Sequence, residues 1–477
     1  MDDNDDDDGG LLAQLDAEAG LKDDEETAPI PDTIDKPLQV EARTEIPLDE
    51  AQQHAIGLAC DNTKRLVAIT GDAGSGKTTI LRTAYQMLVA AGYRVAVSAP
   101  TGKAAKRIFE ATGIRAVTNH KLLEYTQPGE VDQRTGRASR DSFPRKDQDN
   151  PLLVDVVLCD EYKMVNWEIH NNIIRALPAG GRLVTTGDMN QLSPIEDNKE
   201  MQKEKCPFNT LLDKFHAARL SKIYRQAEGS GILDNSQRVL KGLSPLRQDD
   251  FPIAVTDDPI ARIRKLLLLD DLRKILCSQD GQIIIPQKVG KVGTQAINSF
   301  IQNIVEDENQ EAVELPRYAW DTKHPVRIRI GSKIICVKND YNLNIFNGET
   351  GIVEQITELG EIIVNLGDRV VNIPPDVEYN EIDPYSGSVK KKSYDPRRDL
   401  QLAYAITTHK AQGSQYKRIV YVMNRSMYGM QSKENLYTGM TRGIEWCELI
   451  TDTVSLHRAM RKTETMLRTE REKWSKR

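Results

Sequence analysis

One stretch constrains this chain more than any other: Gly71-Asp72-Ala73-Gly74-Ser75-Gly76-Lys77-Thr78, set between an apolar, β-type run at 66–70 and a helical pattern at 79–88. Strand, glycine-rich turn and helix in that order form a phosphate-binding loop. The glycines let the backbone fold tightly, so that N–H groups of Gly74, Ser75 and Gly76 and the N-terminus of the next helix, from Thr79, face a polyphosphate. Lys77 would reach the β- and γ-phosphates, and the Thr78 hydroxyl would ligate Mg²⁺. The expected ligands are a nucleoside triphosphate and Mg²⁺.

The chain has 477 residues, enough for two to four domains at roughly 150 residues each, and 39% of them are hydrophobic. No aliphatic run approaches the ~18 residues of a membrane span, and the acidic start lacks the basic-then-apolar pattern of an export signal. Six scattered cysteines without a C-x-x-C pair suggest neither a zinc ribbon nor a disulfide framework. A cytoplasmic setting, with no membrane partner, is the expectation. The net charge of −7 conceals an asymmetry: residues 1–36 carry −12, leaving +5 on the remainder. An acidic tail over 1–45, expected to be disordered, therefore precedes a mildly basic body suited to a polyanion. The tail reads either as a solvating segment or as one that mimics nucleic-acid phosphate or docks on a replication, recombination or single-strand-binding protein.

Along the chain, residues 46–56 have the spacing of a short helix with Asp49 and Glu50 in its first turn, and Gln52 on it is placed to read an adenine edge. A second strand at 94–99 runs into Pro100-Thr101-Gly102-Lys103 and a helix, another nest for phosphate. The polar segment at 127–150 is too long for a plain loop in a compact domain and reads as a projecting hairpin or lid. The run at 154–159 ends in Asp160-Glu161, which places two carboxylates at the carboxyl edge of a parallel strand. Asp160 would hold Mg²⁺ and Glu161 would orient or deprotonate the attacking water. A fourth strand at 182–187 exits toward Gln191, a candidate hydrogen-bond donor to the γ-phosphate.

Taken together, these stretches resemble a superfamily 1 type B DNA helicase of the RecD/Dda-like group, over about residues 47–451. GDAGSGKTT resembles motif I, APTGKAAKR motif Ia, residues 118–122 motif Ib, DEYKM motif II, and GDMNQLSPI motif III. Further on, LSKIYRQ at 220–226 resembles motif IV, ITTHKAQGS at 406–414 motif V, and LYTGMTRG at 436–443 motif VI. The resemblance implies Gln52 as adenine reader, Gln191 as γ-phosphate sensor, and Arg225 and Arg442 as arginine fingers from a second domain. Guanidinium suits charge spread over phosphoryl oxygens. It also implies that Pro100, Thr101, Lys103, His120, Thr408 and His409 face or adjoin single-stranded DNA. One departure stands out, because Tyr162 and Lys163 replace the small residue and Ser usual after the acidic pair; Lys163 is left pairing with a carboxylate or phosphate, or pointing to solvent.

The fold so implied is α/β: two RecA-like parallel-sheet domains with an inserted small β-barrel and a projecting hairpin. Domain 1 would span 46–219, with the hairpin at about 124–152 and Phe143 as a candidate tip aromatic of the strand-separating pin. Domain 2 would comprise 220–316 and 397–477, interrupted at 317–396 by a Src-homology-type barrel. Alternating strands at 328–353 with a turn at Asn347-Gly348 support the barrel, 379–398 reads as a basic irregular arm, and 453–477 as one basic amphipathic helix. The expected activity is ATP-driven 5′ to 3′ translocation on single-stranded DNA and unwinding at single-strand/duplex junctions, the polarity resting on the family alone. An RNA helicase or non-unwinding nucleic-acid-stimulated ATPase, or a helicase subunit of a larger recombination complex, stands as the alternative. The Dda-like organisation also suits a phage protein in a host cytoplasm.

Overall fold

The computed structural model describes residues 48–126, 142–196, 201, 204–224, 229–307, 312–316, 326–340, 342–382 and 389–475. The acidic tail, Arg225 and the far part of the expected hairpin, 127–141, lie outside the described residues.

Domain 1 is a parallel sheet covered on both faces. Its strands are β1 (Leu66–Gly71), β2 (Val95–Ala99), β3 (Val117–Thr118), β4 (Val156–Cys159), β5 (Arg182–Gly187) and β6 (His216–Leu220), ordered β3-β2-β4-β5-β1-β6. Helices α1 (Glu50–Cys60), α2 (Lys77–Ala90) and α3 (Gly102–Thr112) cover one face; α4 (Trp167–Ala176) and α5 (Pro207–Lys214) cover the other. Every residue of β1 and β5 is buried, which explains why these strands read as continuous apolar runs rather than alternating ones. Ile80, Leu81 and Ile108 pack on Val97, Val156 and Leu158 from one side, and Ile169, Ile173 and Phe208 pack on Val157 and Leu183 from the other.

Domain 2 repeats the scheme. It contributes α6 (Gly231–Leu240), β7 (Ile253–Val255), α7 (Pro259–Leu267), α8 (Asp270–Cys277), β8 (Gly281–Ile285) and α9 (Thr294–Val305) before the insertion. The insertion begins with the short ladder of β9 (Val313–Glu314) and β10 (Arg327–Ile328). It continues with β11 (Lys333–Cys336), β12 (Thr350–Ile356), β13 (Ile362–Asn365), β14 (Val370–Ile373), β15 (Val377–Ile382), β16 (Val389–Tyr394) and β17 (Leu400–Leu402). The chain then returns to domain 2 through β18 (Ala405–Thr407), β19 (Tyr416–Met423), α10 (Lys433–Met440), β20 (Gly443–Thr451), α11 (Thr453–Arg461) and α12 (Glu464–Ser475). The sheet β18-β8-β19-β20-β7 is parallel throughout.

Three expectations need correction. The inserted sheet is antiparallel in the order β14-β13-β12-β11-β17, and among the described residues no ladder joins β14 to β17, so its hydrogen bonding is an open sheet rather than a closed barrel. Residues 379–398 are not irregular: β15 and β16 pair in register from Val377↔Tyr394 to Ile382↔Val389. The C-terminal helix is two helices, because Thr463 accepts the Met466 N–H and starts a new helix where Lys462 has left helical geometry. The insertion is welded to domain 2 by shared core: Ile334, Ile362 and Val364 pack in one cluster with Ile283, Ile285 and Val420.

Candidate nucleotide cleft and strand interface

The phosphate loop leaves the carboxyl end of β1 and its glycines are used for two different reasons. Gly74 and Gly76 sit at φ 86° and 88°, the left-handed region that costs other residues strain. A Cβ on Gly76 would in addition lie 2.6 Å from Gln52 Nε2. Lys77 Nζ donates to the carbonyls of Gly71 and Asp72 at 2.6 and 2.9 Å. Gln52 closes a capping box with Asp49: its N–H donates to Asp49 Oδ1 at 2.7 Å and its Oε1 accepts the Asp49 N–H at 3.2 Å. Its Nε2 donates to Ser75 O at 3.4 Å, so the buried amide braces the loop from α1.

At the end of β4, Asp160 accepts from the Thr186 hydroxyl and, at 2.8 Å, from the Glu161 N–H. Burial, and next the neighbouring Glu161, push the Asp160 carboxyl above the usual range, a tension a cation would relieve. Glu161 stands at φ 52°, ψ 36°, a strained setting of the kind that clusters at active sites. Its Oε1 lies 4.0 Å from Arg107 Nη1. Gln191 donates to Asp188 Oδ2 at 3.4 Å. From domain 2, Arg442 is buried, its guanidinium donating to Thr438 O, Ser414 O and Thr441 Oγ1 at 2.9, 3.3 and 3.1 Å.

These groups converge. Gly74, Gly76, Lys77, Thr78, Thr79, Arg107, Asp160, Glu161, Gln191 and Tyr224 of one side, with Gly413, Gln415 and Arg442 of the other, line one cavity of about 370 Å³. Three buried polar atoms around it, Ser75 Oγ, Glu161 Oε2 and Gln191 Oε1, have no hydrogen-bond partner in the protein. Buried polar atoms are rarely left so, and a triphosphate with its cation and water is the ligand that would satisfy them. Among the described residues no cluster of three or more His, Cys, Asp or Glu side chains could hold a metal alone. The hydroxyl of Thr78 and the carboxylate of Asp160 fit Mg²⁺, which takes few protein ligands and completes its shell with phosphate oxygens and water. Lys163 is not at the cleft: it is buried and donates to Asn209 Oδ1 at 3.1 Å and Cys206 Sγ at 3.3 Å, on the far side of the strand end.

The residues expected at a strand are divided between the domains. Thr101 caps α3, accepting the Ala104 N–H at 3.2 Å, with Pro100 just before it. Lys103 reaches across to domain 2, its Nζ 5.0 Å from the centre of the Tyr416 ring. His120 is exposed, its ring 4.7 Å from that of Tyr125. His409 is half-buried on the single turn Thr408–Ala411, but Thr408 itself has no exposed surface and presents no side chain to a groove. Phe143 is not at a tip. The Thr126 N–H donates to Phe143 O at 2.9 Å and the Phe143 N–H to Thr126 Oγ1 at 3.1 Å, which places it at the foot of the insertion.

Residues 47–249 match the model of an AAA domain and residues 402–450 that of a UvrD-like helicase C-terminal domain. The chain is 28% identical over 378 residues to the ATP-dependent RecD2 DNA helicase of Deinococcus radiodurans, covering 79% of this chain and 46% of that protein. It is 26% identical over 436 residues to the RecD subunit of the RecBCD enzyme of Mycobacterium tuberculosis, covering 83% of this chain and 68% of that one. The fold matches that of a Bacteroides Pif1 crystallised with single-stranded DNA, with a TM-score of 0.57 at 22% identity over 91% of this chain and 98% of the other. The chain is thus similar to the RecD/Pif1-like superfamily 1 type B helicases, and spans less than half the length of the RecD2 relative.

Two parts of the surface had no counterpart among the residues expected from sequence. A cavity of about 360 Å³ opens where β8 and β18 end, lined by Lys288, Thr294, Asn298, Thr407 and Lys410. Burial, helped by the charge of Lys288, brings Lys410 down to about 8. Two cations beside polar side chains, at the carboxyl edge of a parallel sheet and next to His409, suit a phosphate backbone. The signal was Lys288-Val289-Gly290-Lys291, a glycine between lysines after an apolar strand. The other omission is Tyr437. Its hydroxyl donates to Asp188 Oδ2 at 2.7 Å and accepts the Ala73 N–H at 3.3 Å, pinning domain 2 to the phosphate loop.

Proposed function

We propose that this chain is an ATP-driven DNA helicase that moves 5′ to 3′ along single-stranded DNA and opens the duplex ahead of it. The observation that carries the reading is the shared cleft, where Lys77, Thr78, Asp160, Glu161 and Gln191 of one sheet face Arg442 of the other across a single cavity. A cleft built from two domains is sensitive to whether they are closed, so hydrolysis there changes their relation. The relatives' names, a DNA helicase and a Pif1 bound to single-stranded DNA, support the substrate; the polarity rests on the family resemblance.

Lys77 would let go of the Gly71 and Asp72 carbonyls to bind the β- and γ-phosphates. Thr78 and Asp160 would hold Mg²⁺, which neutralises charge between those phosphates. Glu161 orients the attacking water, Gln191 senses the γ-phosphate, and Arg442 with Arg225 stabilises the charge that develops on the phosphoryl oxygens, an effect worth ~10³ to 10⁵ in rate in related chemistry. Alternate grip by the surfaces around Thr101 and His120 and around Lys288 and His409 would convert closure into movement, against base-pair stacking of roughly 1.4 kcal/mol per step. Contacts of this kind are tolerant of sequence and steeply salt-dependent.

The test is ATP turnover with and without single-stranded DNA or RNA, and strand displacement on duplexes with a 5′ or a 3′ tail. DNA-stimulated turnover and displacement only from the 5′ tail are expected, with Lys77→Ala abolishing turnover while retaining most strand binding. Turnover indifferent to oligonucleotide would overturn the proposal, and displacement from a 3′ tail would reverse the polarity. A role as subunit of a larger recombination assembly, favoured by the relation to a RecBCD subunit, predicts helicase activity that rises on adding partner subunits.

A further inference from the structure

Arg107 belongs to the helix that opens with Thr101, yet the roles assigned above leave it unused. It lies six residues beyond that cap, and at 1.5 Å per residue α3 carries the strand-facing end and Arg107 about 9 Å apart on one rigid rod. There, at mid-helix, the guanidinium stands 4.0 Å from Glu161 Oε1, while Glu161 Oε2 has no hydrogen-bond partner among the described residues. The backbone of Glu161, at φ 52°, leaves the carboxylate few directions, so what lies beside it decides where it points.

Arg107 also borders a second cavity, of about 290 Å³, between α3 and the inserted sheet. The same helix face is tied there to two other bodies: Lys103 to Tyr416 of domain 2, and Lys106 to Asp368 of the insertion at 2.7 Å. A helix that touches the expected strand at one end, domain 2 and its fused insertion along its length, and the water-orienting carboxylate near its middle cannot shift without altering that last contact.

We propose that Arg107 is a positioning residue that restrains Glu161 while α3 is unloaded and frees it when a single strand engages the helix's N-terminal end. This rests on the nucleotide-site reading above and adds to it the route by which a strand stimulates hydrolysis. A carboxylate held toward a guanidinium is not free to turn to the attacking water, so the restraint lowers the idle rate rather than the working one. A partly exposed ion pair of this kind holds by a factor of up to about five.

The experiment compares ATP turnover without and with saturating single-stranded DNA in wild type, Arg107→Ala, Arg107→Gln and Arg107→Lys, with KM for ATP and the melting midpoint of each. Both neutral variants should raise the strand-free rate by up to about fivefold and lower the stimulation ratio by the same factor, with KM unchanged and Arg107→Lys in between. A structural role would not raise the idle rate. If the ratio is preserved, or both rates fall together, Arg107 acts on the nucleotide or on folding and the inference is overturned alone. A wild type indifferent to DNA would overturn the proposed function and this inference with it. Should Arg107→Ala lose its cooperative melting, the near-isosteric Arg107→Gln carries the same readout.

Discussion

Lys333 has no exposed surface, and its ammonium donates to the carbonyls of Gly281 at 2.5 Å and Leu276 at 3.3 Å, with Cys277 and, more distantly, Lys103 as titratable neighbours. Burial brings it down to about 7. The unfolded chain keeps that proton to about 10.4, so between these values the unfolded state binds more protons and stability rises with pH. The melting midpoint of wild type relative to Lys333→Met should therefore climb from pH 7 to pH 10 and level off above; parallel profiles for the two proteins would show that the buried amine holds its proton as firmly as the unfolded chain does. Such a residue was not legible, since a lysine within an apolar strand gives no hint of which carbonyls meet it. Legibility at this scale followed local geometry. Lys77, Thr78 and Asp160 were placed by strand-turn-helix spacing, whereas Arg107 and Tyr437 act through partners 54 and 249 residues away. Gln52 was read as an adenine contact; its capping box with Asp49 shows that one amide already serves the helix start and the phosphate loop.

At the scale of elements, continuous apolar runs gave the parallel strands reliably because both faces of those strands are covered. Antiparallel pieces were harder. Residues 379–398 look irregular because the sequence there, with Lys390-Lys391-Lys392 and few apolar residues, lacks the alternation of a half-buried strand, although the backbone pairs in register. The break at Thr463 had a signal, a threonine able to cap, which the amphipathic period outweighed. The insertion after Thr126 ends where Ser142 Oγ donates to Thr126 O at 2.5 Å beside the Phe143 pairing, so the foot closes by itself. Replacing residues 127–141 by a short glycine-serine link should leave DNA-stimulated ATP turnover largely intact while reducing strand displacement. Equal loss of both would show that this element serves the fold and not separation.

For the molecule as a whole, the decisive feature is the seam, and no sequence pattern could place it because its contacts join distant residues. The Leu192 N–H donates to Thr438 Oγ1 at 3.0 Å, Gln412 donates to Leu192 O at 3.0 Å, and α12 crosses to domain 1, Glu464 accepting the Ser193 N–H at 3.0 Å. Tyr437 is the central member of this set. Tyr437→Phe removes its two hydrogen bonds, of about 1 kcal/mol net each, and should shift the closed population by up to roughly thirtyfold. Fewer base pairs opened per ATP hydrolysed, with KM for ATP little changed, is the expected outcome; unchanged coupling would make the seam's other contacts sufficient.

Phe346 of the insertion rests directly on the backbone of Gly102, where an added Cβ would come within 2.6 Å of the Phe346 Cβ. The nearby Lys106–Asp368 pair is partly solvated and worth at most about 1 kcal/mol, so the ring's seat sets the fit. A tooth in a notch with no slack has no intermediate resting place. On the proposed reading, opening of the cleft would unseat this contact whole, which would make any advance along a strand a succession of discrete jumps separated by dwell times.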